Sequence, residues 1–276
     1  MSSLDFSRPS KRRRLSTPIT PPSPVREGIP RAPSQERSSV LERAINVLKV
    51  EAQALASVTA LYSDDKIAQY GLSAAQKAVV QSQLQGGKLV VCGVGKSAFI
   101  AQKLVATSKS LGISASFLHA CEAVHGDIGD VRSKDVLLFV SFSGKTVELL
   151  NVLPHLPRGL QIMAMSAQRH PKDCHLLLDG EGGILLPAPI HESEEASFGV
   201  KAPTTSTTVA LAISDMLALT VADAIHEGNT SEVFLRNHPG GAIGSTQRKE
   251  KALREVEDEV AIVALPSPSI SAESED

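Results

Sequence analysis

The chain has 276 residues, of which 42% are hydrophobic and only 3% aromatic, and its formal net charge is −2. This composition supports a folded core built from Ala, Val and Leu, and no apolar run approaches the ~20 residues of a membrane span. We therefore expect no membrane location. The three cysteines form no C-x-x-C pair and cannot all pair within the chain, which favours a reducing, cytoplasmic compartment.

The N-terminal segment differs in charge from the rest of the chain. Residues 1–38 hold eight basic and three acidic side chains, so they carry +5 while the remainder carries −7. This Pro- and Ser-rich segment has almost no apolar residues and is predicted to be a disordered tail. Its cluster Lys11-Arg12-Arg13-Arg14 is of the nuclear-targeting or nucleic-acid type. We expect a solvated extension without a nucleic-acid partner, and nuclear targeting stays open. Residues 246–276 are predicted to form a second, charged and disordered tail.

Between the tails, apolar residues follow helical and strand-like periods in turn. Helices are predicted at 39–62, 73–85, 96–111, 121–125, 145–155, 171–177 and 204–226. Strands are predicted at 88–92, 115–118, 136–142, 161–166 and 184–187. This alternation predicts an α/β domain over residues 39–245, a three-layer α/β/α sandwich with a mainly parallel five-stranded sheet. The helix at 204–226 is apolar on more than one side, so we expect a homo-oligomer, either a dimer or a tetramer.

The first strand runs into Gly93-Val94-Gly95-Lys96-Ser97, and a helix comes next. N–H groups converge at such a helix start and the helix dipole favours an anion, to which Lys96 adds a positive charge. A nucleotide P-loop is excluded because Val90 stands where its first glycine belongs. A dinucleotide fingerprint fits Gly93, Gly95 and Ala98, but Glu122 comes late for its acidic residue. A phosphate site, a dinucleotide site and a plain tight turn therefore stay open at this point.

A second anion site is predicted after the third strand, where Ser141-x-Ser143-Gly144-x-Thr146 begins a helix. Three hydroxyls and several free N–H groups suit a phosphate and need no metal. Ordinary helix capping is the alternative, although one hydroxyl would satisfy a cap. After the second strand, His125 and Asp127 could suggest a metal, but two ligands do not close a metal site. We therefore expect no metal there and interpret His125 as a substrate contact.

Together these motifs resemble the sugar isomerase (SIS) domain family, and within it the arabinose-5-phosphate isomerases. The resemblance covers about residues 40–245 in the family's order and spacing. The matching segments are 93–97, 122–129, 141–144 with Glu148, 195–196, 202–208 and 237–244. Three features depart from the family: Ala98 replaces a glycine, Ser197-Phe198 replaces a Cys-Pro pair, and the CBS modules that come after many SIS domains are not expected here.

The resemblance implies how the site works. Family members bind a sugar phosphate and interconvert its aldose and ketose forms, and no cofactor is expected. Phosphate binding is implied for Ser141, Ser143 and Thr146. Catalytic roles are implied for Lys96, Glu148, Glu195 and His238. We expect further substrate contacts from other motif residues, namely Gly93, Gly95, Ser97, His125, Gly144, Thr205 and Ser206.

The chemistry of aldose–ketose conversion accounts for these residue types. The reaction opens the sugar ring and moves a proton between neighbouring carbons through an enediolate. A carboxylate is a suitable base, and the choice between Glu148 and Glu195 stays open. Lys96 can stabilise the developing charge, and His238 suits ring opening. The sequence thus predicts a metal-independent isomerase of the arabinose 5-phosphate/ribulose 5-phosphate type. A non-catalytic SIS protein that senses a sugar phosphate is the alternative.

Overall fold

The computed structural model describes residues 34–178 and 182–240. The two predicted tails lie almost wholly outside the described residues, so their predicted disorder stays a prediction. The chain divides into two compact units, residues 1–43 and residues 44–276. Of the first unit, only the beginning of a helix is described. The sheet and all later helices belong to the second unit.

The described residues form a five-stranded sheet in which every neighbouring pair of strands is parallel. Its strands are β1 (Leu89–Gly93), β2 (Ala115–His119), β3 (Val136–Val140), β4 (Gln161–Ser166) and β5 (Ile184–Pro187). Their order across the sheet is β2-β1-β3-β4-β5. The sequence located all five strands, although β3 ends two residues before the predicted boundary. Short apolar runs buried on both faces explain why these strands were recognisable.

The described helices fall into a long group and a short group. The long helices are α1 (Ser34–Asp64), α2 (Lys66–Leu84), α3 (Gly95–Ser110) and α7 (Thr205–His226). The short helices are α4 (Ala120–Ala123), α5 (Val147–Leu150), α6 (Glu194–Phe198) and α8 (Thr230–Asn237). Short 3-10 turns lie at Asp127–Asp130, Leu153–His155, Pro171–Asp173 and His175–Leu177. The predicted helix at 145–155 is the short helix α5 followed by a 3-10 turn, and the one at 171–177 is two 3-10 turns. Helices α6 and α8 were not predicted.

The sheet separates two hydrophobic cores, and successive strand residues alternate between them. Leu89 and Val91 of β1 pack with the long helices, whereas Val90 and Cys92 pack with the short helices and 3-10 turns. This alternation is the period of two that a strand imposes on its side chains. The predicted three-layer α/β/α sandwich is confirmed, with one thick helical layer and one thin layer.

The start of α2 corrects the sequence-based boundary. The sequence predicted a helix from Ser73, whereas the helix begins at Lys66 after the N-cap Asp65. The Asp65 carboxylate accepts hydrogen bonds from the N–H groups of Ile67 at 2.8 Å and Ala68 at 2.9 Å. Gly71 lies inside this helix, and a Cβ there would lie 2.1 Å from the Leu185 carbonyl oxygen. Its missing side chain lets α2 lie directly on β5.

Two described helices are long and apolar enough to cross a membrane by length and composition alone, residues 39–64 of α1 and all of α7. This differs from the expectation of no such segment. Helix α7 carries ten buried residues, including Val209, Ile213 and Leu217, within the core on the sheet. Core helices pass the same test, so these two helices are weak grounds for a membrane location.

Candidate active site

The strand order places a crevice at the carboxyl ends of β1 and β3. These strands are neighbours, but the chain leaves β1 towards β2 on one side and leaves β3 towards β4 on the other. Ligands of parallel sheets bind at such a switch point. Both predicted anion motifs come directly after these two strands, since Gly93 ends β1 and Ser141 is the first residue beyond β3.

The turn after β1 brings the start of α3 close beneath the strand. A Cβ on Gly93 would lie 2.8 Å from the Ser97 carbonyl oxygen, so only glycine allows this approach without a shift of the backbone. Gly95, the first residue of α3, has φ +55°, a conformation that favours glycine. The two glycines thus fix the direction of α3, and its first turn presents Lys96 and Ser97 to the crevice.

The loop from Ser141 to Thr146 is held by its own hydroxyl groups. The Ser141 and Thr146 hydroxyls are hydrogen-bonded to each other at 2.8 Å. The Gly144 N–H donates to the Ser141 hydroxyl at 3.2 Å, and the Lys145 N–H donates to the Ser143 hydroxyl at 3.3 Å. Thr146 is the N-cap of α5 but makes no side-chain capping bond. The loop is therefore not built as an ordinary hydroxyl cap.

Neighbouring segments brace this loop from outside. The Ser166 hydroxyl at the end of β4 donates to the Phe142 carbonyl at 3.1 Å, and the Leu176 N–H donates to the Gly144 carbonyl at 3.2 Å. Gly144 has φ +66°, and a Cβ there would lie 2.9 Å from both Cys174 Sγ and Ser166 Oγ. The carbonyl groups of Phe142 and Gly144 are thus hydrogen-bonded to neighbouring segments of the protein. The loop conformation depends on glycine at position 144.

A cavity of about 360 Å³ lies beside the two motifs. Its walls come from the first turns of α3 and α7, the ends of β3 and β4, and the segment between α6 and α7. Of the predicted site residues it contains Lys96, Ser97 and Ser206, and Phe142 of the Ser141–Thr146 loop also lines it. Its size is within the range of small-molecule sites. Glu194 and Lys201 line the cavity as well, and sequence reasoning missed both.

Glu194 joins α6 to the start of α7. One of its carboxylate oxygens accepts hydrogen bonds from the Thr204 N–H at 2.7 Å, the Ser206 N–H at 3.0 Å and the Ser206 hydroxyl at 2.7 Å. A carboxylate at a helix N-terminus satisfies orphan N–H groups and complements the helix dipole. The Ser206 hydroxyl, predicted to contact substrate, is bonded to Glu194 here. The neighbouring Thr205 hydroxyl is buried and finds no hydrogen-bond partner among the described residues.

Glu195 points differently from Glu194 although the two are consecutive. Its carboxylate lies 3.2 Å from Lys201 Nζ, and both side chains are largely exposed. Glu148 is exposed in the first turn of α5, just after the Ser141–Thr146 loop. His125 is exposed in the turn after α4. Glu148, Glu195 and His125 are not among the described residues that line the cavity.

Comparisons with known proteins identify the family of this chain. The family model described as SIS domain matches residues 84–166. A solved structure of an E. coli CFT073 protein in complex with arabinose 5-phosphate is 30% identical to this chain, with coverage of 75% of this chain and 100% of its own and a TM-score of 0.59. This chain belongs to the SIS domain family.

Two curated relatives extend the likeness along the chain. An uncharacterized protein of Helicobacter pylori J99 is 38% identical over 83% of this chain and 65% of its own length. The arabinose 5-phosphate isomerase GutQ of Escherichia coli K12 is 37% identical over 67% of this chain and 56% of its own length. The chain thus spans between about half and two thirds of these relatives.

His238 lies apart from the rest of the predicted site in this SIS protein. It comes directly after α8, where its Nδ1 is 2.8 Å from the Phe234 carbonyl oxygen and its ring lies on Phe234 with centroids 4.1 Å apart. The adjacent Asn237 donates hydrogen bonds to the carbonyls of Lys109 and Ser110, which are the last two residues of α3. Lys96 is at the opposite end of that helix, which is about 24 Å long at 1.5 Å per residue. One chain therefore does not bring His238 to the cavity.

Thiol and metal chemistry complete the description of this SIS site. Cys92 precedes the Gly93 turn, and burial raises the pKa of its thiol to about 12. Burial also raises the pKa of Cys174, which lies beside the Ser141–Thr146 loop. Both thiols are therefore neutral and poor nucleophiles near pH 7. Among the described residues, no three His, Cys, Asp or Glu side chains gather in a way that could hold a metal ion.

Proposed function

We propose that this SIS protein interconverts a ketose and an aldose pentose 5-phosphate, of the ribulose 5-phosphate/arabinose 5-phosphate type, through an enediolate. One observation carries the proposal: Lys96 from the first turn of α3 and Phe142 from the Ser141–Thr146 loop line the same cavity at the sheet's switch point. A phosphate cradle and a cation next to the reacting carbons are what this reaction needs. The family and the arabinose 5-phosphate complex of a 30% identical protein support the same substrate class.

The Ser141–Thr146 loop is the proposed phosphate site. Its hydroxyls are held close together and can turn to donate to phosphate oxygens, since a hydroxyl proton rotates to suit its partner. Gly144 fixes the loop, and the Ser166 and Leu176 contacts keep two carbonyls directed away from an incoming anion. Phosphate held here would place the sugar in the adjacent cavity, with further contacts from Ser97 and Ser206.

We assign proton transfer to one of the two glutamates for which the resemblance implies a catalytic role. Either Glu148 or Glu195 removes a proton beside the carbonyl, and Lys96 stabilises the negative charge that develops on the oxygen. A lysine in this position supplies the charge stabilisation without a metal. We propose that His238 opens the sugar ring and that it reaches the cavity of a second copy, because its own cavity is at the other end of α3.

Isomer-by-isomer assay tests this proposal. Purified protein with EDTA present is offered ribulose 5-phosphate, arabinose 5-phosphate and ribose 5-phosphate, and products are separated by chromatography. Replacing the base by its amide, in Glu148→Gln or Glu195→Gln, should lower kcat by about 10²–10⁴-fold for the residue that transfers the proton. Lys96→Met should lower kcat by about 10²–10³-fold, by analogy with the loss of an oxyanion donor.

The control is Glu232→Gln, which makes the same change at an exposed position on α8. It should leave kcat unchanged. Wild-type rates in both site glutamate variants would contradict the assignment of the base. Turnover that stops with EDTA and returns with a divalent cation would contradict the metal-independent mechanism.

A phosphosugar sensor is the second candidate, and the position of His238 favours it. If the protein works as a single chain, it holds a phosphate loop and Lys96 at the cavity but lacks His238 there. A sensor should gain thermal stability with arabinose 5-phosphate and show no turnover of any pentose phosphate. Turnover of any of these substrates would exclude this candidate.

We place this activity in the cytoplasm, since Cys92, Cys121 and Cys174 are all free thiols and free thiols persist in reducing compartments. The basic cluster Lys11–Arg14, which suggested nuclear targeting, lies outside the described residues.

A further inference from the structure

Two consecutive glutamates hold the segment between α6 and α7. Helix α6 ends at Phe198, and its C-cap Gly199 has φ +76°. The chain then runs along the cavity to Thr204, the N-cap of α7. Glu194 is bonded to the far end of this segment, and Glu195 is paired with Lys201 in its middle. Lys201 is the one charged residue of segment 199–204.

The two attachments differ in strength. Glu194 is partly buried and accepts three hydrogen bonds at the start of α7, so it anchors the end of the segment to α6. The Glu195–Lys201 pair is exposed, with 60% and 79% of the side chains accessible. Exposed ion pairs contribute little because water screens them and because holding two long side chains costs entropy. The second attachment can therefore be exchanged at little cost.

The charge of the cavity favours such an exchange. Lys96 and Lys201 are the cationic groups among its described lining residues, and one oxygen of Glu194, the lining carboxylate, already accepts three hydrogen bonds. A phosphate dianion is a stronger hydrogen-bond acceptor for an ammonium group than one carboxylate oxygen in water. Lysine reaches such a partner through a flexible four-carbon stem.

We propose that Lys201 is a substrate-binding residue that leaves Glu195 and closes over the phosphate of the bound sugar phosphate, so that it sets the preference for phosphorylated sugars. This inference rests on the proposed function, which puts the phosphate in the Ser141–Thr146 loop beside the cavity. The exchange frees the Glu195 carboxylate as the substrate arrives. Binding of the phosphate and release of a candidate base thus become one event.

Calorimetric titration with ribulose 5-phosphate tests the exchange without depending on turnover. Lys201→Met removes the charge and keeps most of the length of the side chain, so the affinity should fall about 10–100-fold, the loss expected for a charged hydrogen bond. Lys201→Arg should retain most of the affinity. Lys77→Met, the same change on α2 outside this cavity, is the matched control and should have no effect.

Glu195→Gln separates exchange from a structural role of the pair. If Lys201 is shared between Glu195 and phosphate, removing the competing carboxylate should leave the affinity equal or tighter. If the pair only holds the segment in shape, Glu195→Gln and Lys201→Met should both weaken binding, and that result would overturn the inference. Melting temperatures without ligand show whether each variant is folded.

The outcomes also separate the inference from the proposed function. Binding without turnover by the wild type would contradict the isomerase and leave the Lys201 comparison fully informative. Unchanged affinity in Lys201→Met would overturn the inference while the isomerase stands. Absence of any ribulose 5-phosphate or arabinose 5-phosphate binding by the wild type would overturn both.

Discussion

Cys121 differs from the other two cysteines in its access to solvent. It is exposed on α4, whereas Cys92 and Cys174 are buried. Burial raises the pKa of Cys92 to about 12, so its thiol stays protonated until the pH approaches that value. Since the thiolate is the reactive form, we expect a native thiol titration at pH 8 to show one fast-reacting group.

The thiol titration has a clear control. Cys121→Ser should abolish the fast phase, and Cys92→Ser should leave it intact. All three thiols should react once the protein is unfolded in guanidinium chloride. A fast phase that survives Cys121→Ser would mean that the strand or the loop packing around the buried cysteines opens readily.

At the residue scale, some of the predicted site residues line the cavity and others do not. The positions of Lys96 and Ser97 result from their spacing after Gly93, because a strand and a helix start leave little freedom there. The sequence analysis named Glu195 but not its neighbour Glu194, which lines the cavity. Which of two consecutive glutamates turns towards α7 depends on the five-residue helix α6, which is too short to show a periodic pattern. The position of His238 depends on how α8 packs at the end of α3.

Asp65 and Ser73 are two competing N-caps for α2, one observed and one predicted. Asp65 accepts two backbone N–H bonds, and Ser73 lies exposed inside the helix. Asp65→Ala should therefore lower the free energy of unfolding by about 1 kcal/mol, the usual cost of losing a capping side chain. Ser73→Ala should be neutral or slightly stabilising, because alanine is the better former of helix interiors.

Urea unfolding measured by circular dichroism gives both values. Equal losses in the two variants would place the start of the helix elsewhere. The N-cap preference of serine misled the sequence-based boundary because serine is also tolerated on an exposed helix face. No local pattern reveals that Gly71 is held against β5, since that contact joins residues more than one hundred positions apart.

At the scale of elements, hydrophobic runs located the strands but not every helix. Each strand is a run of apolar residues bounded by turn residues, and a run buried on both faces needs no periodicity to be recognised. The short elements α6 and α8 carry too few turns for a helical period to appear. The two helices that the sequence analysis did not predict are the one that contains Glu194 and the one that directly precedes His238.

At the scale of the whole molecule, apolar residues on α1 support the proposed homo-oligomer. Leu48 is 67% exposed and Ile45 is 41% exposed on successive turns. Burying such side chains against another copy removes apolar surface from water. We expect light scattering after size exclusion to give the mass of a dimer or a tetramer of the 29.2 kDa chain.

Leu48→Glu tests whether this helix face forms the interface. It should lower the assembled mass, whereas Asn46→Glu, which adds the same charge at an exposed polar position, should not. If His238 serves the cavity of another copy, turnover should fall together with the mass. A monomeric wild type that turns over pentose phosphates would contradict the proposed role of His238.

Deuterium incorporation tests the central claim most directly, because an enediolate exchanges protons with solvent at a defined carbon. Ribulose 5-phosphate is incubated with the protein in D2O containing EDTA, and the products are followed by nuclear magnetic resonance. We expect arabinose 5-phosphate that carries deuterium at C2, and no such product from Lys96→Met on the same timescale. Unchanged ribulose 5-phosphate in the presence of folded, ligand-binding protein would contradict the account.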